Sequence, residues 1–457
     1  MKKSYVVCCS LLLVFFTIGS ICSGSLANAQ ISSDVERKLQ AKVPVWLSEN
    51  DAPAAGIGII ENGKITYVKV FGELQKGVPA PDNTIFNVAS ITKTVVTMLT
   101  LKLVQAGEWD LDEPLSDYWV DPDVANDSLH TKLTTRHVLT HTTGFPNWRS
   151  DRPDHKLAFE FAPGTKYQYS GEGFEYLRHA LEHKFKKPLE KLTDSLIFKP
   201  LGMKDTHQSW DSTMDESRFA LWHDPEGKKY EMSYKTGVSA ASDLLTTIED
   251  YCKFGVFVMN GAGLSPTLFD EMVTPHSNIQ EHSAFGLGWF IIKGLPNGEY
   301  AIYHMGGQAG VKAIAVFLPK SKCGVVVFTN GDNGMHVYND VIREVFDAGG
   351  SIYEYMYERP DMPKMINVPD ETIKKYTGHY QFPGVEIDIV SKKENEITLS
   401  STGTHLPKSD LYPEAENKFF AREIDMQVEF VKDETGAITK LIFYFYGKKA
   451  FEANKVR

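Results

Sequence analysis

The octapeptide Asn87-Val88-Ala89-Ser90-Ile91-Thr92-Lys93-Thr94 places a hydroxyl and an amine three residues apart where a helical pattern begins. Apolar residues at Ile91, Val95, Leu99 and Leu103, with Val96 and Met98 beside them, repeat at helical spacing until Gly107. Residues i and i+3 share a helix face, so Ser90 and Lys93 can touch. A serine hydroxyl is a weak nucleophile until a neighbouring base takes its proton, and an amine held among apolar groups is neutral enough to do so. In a chain of 457 residues a Ser-x-x-Lys match arises by chance about once or twice, so its weight comes from its flanks.

Those flanks form an ordered set. After Phe86 to Lys93 come Gly107-Glu108-Trp109-Asp110-Leu111-Asp112-Glu113-Pro114, Leu139-Thr140-His141-Thr142-Thr143-Gly144, and Pro163-Gly164 running into Tyr169-Ser170-Gly171. Pro200-Leu201-Gly202-Met203, Ala240-Ala241-Ser242-Asp243-Leu244 and His304-Met305-Gly306-Gly307 complete it. Taken together they resemble the serine β-lactamase and penicillin-binding protein superfamily, in particular its class C β-lactamase-like branch of esterases, D-aminopeptidases and carboxypeptidases.

The resemblance implies an α+β fold: an antiparallel sheet flanked by helices, with a helical lobe. It implies Ser90 as nucleophile, Lys93 as its base, and Tyr169, in the place of the tyrosine of the family's Y-x-N motif, as a second base. A phenolate near neutrality would need cations such as Lys93 and His304 beside it. His304-Met305-Gly306 takes the place of the family's K-T-G, because it ends one predicted strand and leads into another. Lys235-Thr236-Gly237 spells that triplet but precedes a loop and a helical run over 243–257, and reads as a decoy. By the same resemblance the N–H groups of Ser90 and Gly307 form an oxyanion hole, Gly306 lets substrate lie close to the strand, and Gly171 sits at the substrate.

Two departures from the family bear on substrate. Y-x-N ends in an asparagine whose amide bonds the substrate's acylamide, whereas Gly171 has no side chain to offer, with Glu172 as the nearest replacement. His304 in place of lysine supplies a weaker charge, half lost near pH ~6.5 at an ordinary pKa. Both point away from β-lactams and toward esters or short peptides, including those with D-residues. The expected function is a secreted serine hydrolase turning over a small-molecule or short-peptide substrate through an acyl-enzyme; the alternative is a penicillin- or peptide-binding sensor of the same fold that holds the acyl group without turnover. There is no G-x-S-x-G elbow, H-E-x-x-H or Walker A sequence, and no cofactor is implied. His137 and His141 lie four apart but lack the glutamate of a zinc motif, so His141 reads as structural.

Lys2 and Lys3, an apolar run over 5–18 and Ala27-Asn28-Ala29 read as an export signal cleaved after Ala29, an uncleaved anchor being the alternative. Cleavage moves the formal charge from −11 to −13, because two lysines leave and no acid does, which argues against nucleic-acid binding. Of five cysteines, Cys252 and Cys323 then remain, each in an apolar segment, and read as buried free thiols. Oligomeric state is not legible.

Residues 30–350 read as the hydrolase domain. A helix over 31–48 is broken or kinked at Pro44, and strands at 56–60 and 65–71 form a hairpin through Asn62-Gly63. A helical stretch over 110–209 is followed by strands at 286–292, 300–303, 311–318 and 324–329 and a helix at 335–346. Pro360, Pro363 and Pro369 mark 351–370 as a linker. In 371–457, short strands at 386–390, 396–400, 419–422, 427–431 and 438–446 indicate a small all-β domain, similar to the lipocalin-like barrel module of some relatives.

Overall fold

The computed structural model describes residues 33–456 except 232–235, 394, 403–405 and 407. The expected export signal over 1–29 and Lys235 of the triplet read as a decoy lie outside the described residues.

A nine-stranded antiparallel sheet runs in the order Val78–Pro79, Lys64–Gln75, Ala54–Glu61, Cys323–Thr329, Val311–Leu318, Ala301–Gln308, Phe290–Ile292, Ser283–Phe285, Ser277–Asn278. The first hairpin turns at Asn62 and Gly63, whose φ values of +51° and +71° suit a two-residue turn. Ala54–Glu61 is buried along almost its whole length because both faces of the sheet are covered. On one face a β-carbon at Gly56 would meet Ile248 at 2.5 Å and one at Gly58 would meet the Cys252 sulfur at 2.2 Å, so the helix Ile248–Met259 rests directly on the strand. The other face carries the helices Ser33–Glu49 and Gly334–Val345 over a second apolar cluster that includes Leu39, Val43, Ile57, Val327 and Val341.

The helix Thr92–Gln105 buries eleven of its fourteen residues. The spacing predicted an amphipathic helix, but the lobe over 110–209 covers its second side, making it central. That lobe consists of helices such as Thr135–Leu139 and Gly171–Phe185 joined by loops.

Several sequence expectations are corrected. The first helix runs unbroken through Pro44, which points to solvent while Leu39, Val43 and Leu47 hold the buried face; water can satisfy the carbonyl that proline leaves without a donor. Strand Ala301–Gln308 continues past His304, so the His304-Met305-Gly306 triplet lies within it. Residues 286–289 turn rather than extend, with Gly288 at φ +74°. In 243–257 the helix begins only at Ile248, after Leu245–Thr246 pairs with Phe86–Asn87. The span 351–370 starts inside a helix, Gly349–Met356, whose Ile352, Tyr353 and Met356 are buried. Cys323 is only partly buried; it and the buried Cys252 are both free thiols.

The C-terminal part is a closed barrel of eight antiparallel strands, from Gly378–Phe382 to Lys448–Lys455, sealed by pairing of the first with the last. Tyr376, Phe419, Phe430, Leu441 and Phe443 fill its interior. It docks on the helices that precede it: the Arg343 guanidinium lies 3.8 Å over the Tyr353 ring and donates to the Tyr412 hydroxyl at 3.1 Å, and Arg359 donates to the carbonyls of Ala421 and Arg422.

Candidate active site

Ser90 sits in a 3₁₀ turn, Ala89–Ile91, that feeds the central helix. Ala89 is held at φ +45°, a conformation an alanine adopts only when its surroundings over-determine it. The surroundings do so. The Ala89 N–H donates to Asn87 Oδ1 at 2.8 Å, the Thr92 hydroxyl donates to the Ala89 carbonyl at 2.6 Å, and the Leu244 N–H donates back to that hydroxyl at 3.0 Å. Asn87 Nδ2 donates to Asp243 Oδ1 at 3.3 Å. Flanking Ala89 and Ile91 are buried, and Ser90 is left partly exposed.

Lys93 lies one turn on. Its Nζ is 3.1 Å from Ser90 Oγ and donates to the Ala241 carbonyl at 2.7 Å. The side chain is fully buried, 4.9 Å from the Tyr169 ring centre and 5.7 Å from that of Phe174. Burial pushes its pKa down to about 7, against a smaller opposing pull from the Glu175 carboxylate. Glu175 Oε1 also accepts from the Ser239 hydroxyl and from the N–H groups of Ala240 and Ala241 at 2.9 and 3.2 Å, which fixes the carbonyl that Lys93 touches. Sequence reading missed Glu175, since its partners lie 64 to 66 residues away and no spacing rule links them.

The Tyr169 ring packs 4.2 Å from that of His141. Burial raises its phenol above the ordinary value, and a hydrogen bond with Ser90 only partly opposes this. Burial thus works against the phenolate that Tyr169 would need to act as a base. The same holds for the charge of His304. It is buried, its Nδ1–H donates to the Met305 carbonyl at 2.8 Å, and burial together with Lys93 pushes its pKa down to about 3. Burial therefore favours the neutral imidazole over the charged form that a substrate carboxylate would call for. Its Nε2, left as an acceptor, has no partner among the described residues. His141 is structural in its contacts: buried, with Nδ1 accepting from the Ser170 N–H at 3.1 Å.

Ser90 and Gly307 line one cleft of about 500 Å³ with Asn147, Trp148 and Gln308. Gly306 and Gly171 do not line it. A β-carbon at Gly306 would meet the Val88 carbonyl oxygen at 2.0 Å, so that glycine admits the nucleophile's own turn rather than substrate. At Gly171 a β-carbon would strike the Trp148 indole at 2.6 Å. Glu172 is also turned away: it is buried, and its carboxylate accepts from Arg149 Nε and Nη2 at 3.0 and 2.8 Å. Thr236 and Gly237 of the decoy are exposed. Among the described residues the one group of side chains close enough to share a cation is Glu281, His282 and Glu358, none of which lines this cleft.

A family profile described as Beta-lactamase matches residues 33–349. Protein flp of Staphylococcus aureus is 24% identical over 334 residues, covering 66% of this chain; the chain spans 64% of the length of that relative. Two solved structures have similar folds. The octameric penicillin-binding protein homologue from Pyrococcus abyssi (TM-score 0.63, 20% identity) covers 92% of this chain and 100% of its own. A D-amino acid amidase from Ochrobactrum anthropi SV3, complexed with L-phenylalanine (TM-score 0.59, 21% identity), covers 70% of this chain and 99% of its own.

Proposed function

The chain belongs to the Beta-lactamase family, and from that premise we propose that it is an exported serine hydrolase that forms an acyl-enzyme on Ser90 and acts on esters or the amide bonds of short peptides. The observation that carries this is the buried amine of Lys93, 3.1 Å from the Ser90 hydroxyl and with a pKa of about 7. A lysine with an ordinary pKa would be protonated and useless as a base; this one is half neutral near pH 7.

In the proposed cycle, Ser90 Oγ attacks the substrate carbonyl carbon while its proton passes to neutral Lys93. The oxyanion is held by the N–H groups of Ser90 and Gly307. Tyr169, a neutral phenol hydrogen-bonded to Ser90 with its ring centre 4.9 Å from Lys93 Nζ, relays the proton to the departing atom. Its proton goes to the leaving oxygen or nitrogen as it regains one from Lys93, and the bond to the leaving group breaks. Water then attacks the acyl carbon by the reverse proton path and frees Ser90. His304 takes part as a neutral acceptor: its ring centre lies 6.2 Å from that of Tyr169 and its Nε2 has no partner among the described residues. The similar amidase, complexed with L-phenylalanine, supports a substrate of one or a few residues. Export rests on the sequence of residues 1–29; among the described residues no helix is long and apolar enough to cross a membrane.

Intact mass after a fluorophosphonate, and separately after a penicillin, followed over time, tests the reading. A single adduct on Ser90, with ester hydrolysis lost in step, is the expected result. A penicilloyl adduct that never decays would favour the non-turnover sensor, and absence of any label would refute both.

A further inference from the structure

Gly307 lies near the end of a strand that is held on one edge only. On its outer edge Ala301–Gln308 pairs with Phe290–Ile292, and the last of those pairs is Phe290 with Tyr303. Among the described residues, 304–308 pair only with the strand Val311–Leu318, Gly307 standing opposite Lys312 and Gln308 opposite Val311. A strand end paired on one edge frays unless something fixes its tip. Here a carboxylate does so. Asp332, from the loop after Cys323–Thr329, accepts the Gly310 N–H at 2.8 Å and Lys312 Nζ at 3.0 Å on Oδ1, and the Tyr230 hydroxyl at 2.7 Å on Oδ2. Lys312 Nζ also donates to the Gln308 carbonyl at 3.2 Å. Gly310, at φ +70°, turns the chain, and a β-carbon there would meet Trp222 Cβ at 2.4 Å, so the segment 222–230 presses on the turn from outside. The Asp332 N–H donates to the His223 carbonyl of that segment at 3.1 Å. With side chains only 25% and 18% exposed, Lys312 and Asp332 form a charge-assisted pair better shielded from water than a surface ion pair.

We propose that Asp332 and Lys312 are positioning residues for the oxyanion hole. Neither lines the cleft that holds Ser90 and Gly307, so both act through the strand. Asp332 ties the turn, the neighbouring strand and the segment 222–230 to one carboxylate, and Lys312 carries that anchor to the carbonyl of Gln308, the residue next to Gly307. The Gly307 N–H is thereby aimed before the reaction begins, which is what makes such a donor effective on a developing oxyanion. This rests on the reading of Ser90 as the nucleophile and of the Gly307 N–H as one of the oxyanion donors. A donor that moves away from the oxyanion weakens the transition state and leaves ground-state binding almost untouched, so the loss belongs in kcat and not in KM.

Steady-state hydrolysis of 4-nitrophenyl acetate by the full-length protein tests the proposal, each variant being assayed at a temperature where circular dichroism shows it fully folded. Asp332→Ala and Lys312→Met should each lower kcat roughly ten- to hundredfold, the cost of misplacing a catalytic group by about an ångström, with KM changed less than about threefold. The rate of fluorophosphonate labelling of Ser90 should fall in step. Lys312→Arg keeps a cation and its donors at the same place and should stay within about threefold of the wild-type kcat. A residue that merely stabilised the fold would lower the melting temperature and leave kcat of the folded protein alone. Should Asp332→Ala fail to fold, Asp332→Asn, which keeps an oxygen for the Gly310 N–H but loses the charge that holds Lys312, takes its place with the same expected direction. An unchanged kcat in the folded variants, a loss that appears in KM alone, or a Lys312→Arg protein as slow as Lys312→Met would overturn the proposal. Wild-type protein is scored separately: if its Ser90 takes the label and the ester is hydrolysed while the variants are indifferent, this inference falls and the hydrolase reading stands, whereas a wild type that neither labels nor hydrolyses takes both down.

Discussion

Replacing Lys93 by methionine keeps the length of the buried chain and removes its amine, and the effect on stability should change sign with pH. In the unfolded chain the amine holds its proton up to its ordinary value of 10.5, whereas in the folded protein it gives the proton up at about 7. A group whose folded pKa is lowered in this way binds fewer protons folded than unfolded. Stability is therefore highest above pH 10.5 and is lost as pH falls toward 7, by about 1.4 kcal/mol per unit and about 4 to 5 kcal/mol in all. Methionine escapes that loss. Against this, the variant leaves the Ala241 carbonyl without its donor and breaks the contact with Ser90, at a cost of about 1 to 3 kcal/mol. The balance makes Lys93→Met more stable than wild type at pH 7 by about 1 to 3 kcal/mol, and less stable above a crossing point between about pH 8 and 10. It should also be inactive. Denaturant titrations of both proteins at half-unit steps from pH 6.5 to 10 measure the difference. A stability difference that stays constant over that range would show that Lys93 does not lose its proton there on folding, and the assignment of Lys93 as the base would fall with it.

Ser90→Ala should abolish fluorophosphonate labelling and ester hydrolysis while shifting stability by about 1 kcal/mol or less, since the serine side chain caps no helix; residual hydrolysis near the wild-type rate contradicts the nucleophile assignment. In Glu175→Gln the carboxylate that holds the Lys93 pKa up is gone, so the rise of kcat/KM with pH should move to a midpoint below about 7; a midpoint that moves upward or stays put would show that Glu175 does not act on Lys93. Gly306→Ala forces a β-carbon to within 2.0 Å of the Val88 oxygen and should cost more than about 2 kcal/mol by displacing the nucleophile's turn, read as a lowered melting temperature with activity falling in parallel. Truncation to residues 33–367 removes the barrel and exposes Tyr353 and Arg343; the sheet and both of its apolar clusters are complete by Met356, so a folded but less stable domain is expected by circular dichroism, and an unfolded product would make the barrel integral to the core.

How much of this was legible depended on how local the cause was. Ser90 and Lys93 were readable as a pair because i,i+3 spacing on a helix is a property of a few consecutive residues, and the first hairpin because Asn62-Gly63 dictates its own turn. Ordered motifs placed the family and the α+β sheet. Barrel strands with clear alternation, such as Met426–Lys432, were visible, whereas Ser409–Ala415 carries Pro413 and Lys448–Lys455 starts with exposed polar residues, so neither announced itself. The charge states were not legible at all. Lys93 has a pKa of about 7 and His304 one of about 3 because strands and helices far apart in the chain exclude water from both. Glu175 reaches its loop, and Trp148 the surface of Gly171, across 64 and 23 residues respectively. Residue type and spacing decide which groups can react; the energy of a charge depends on the water and partners around it, and those are set only when the whole chain has packed.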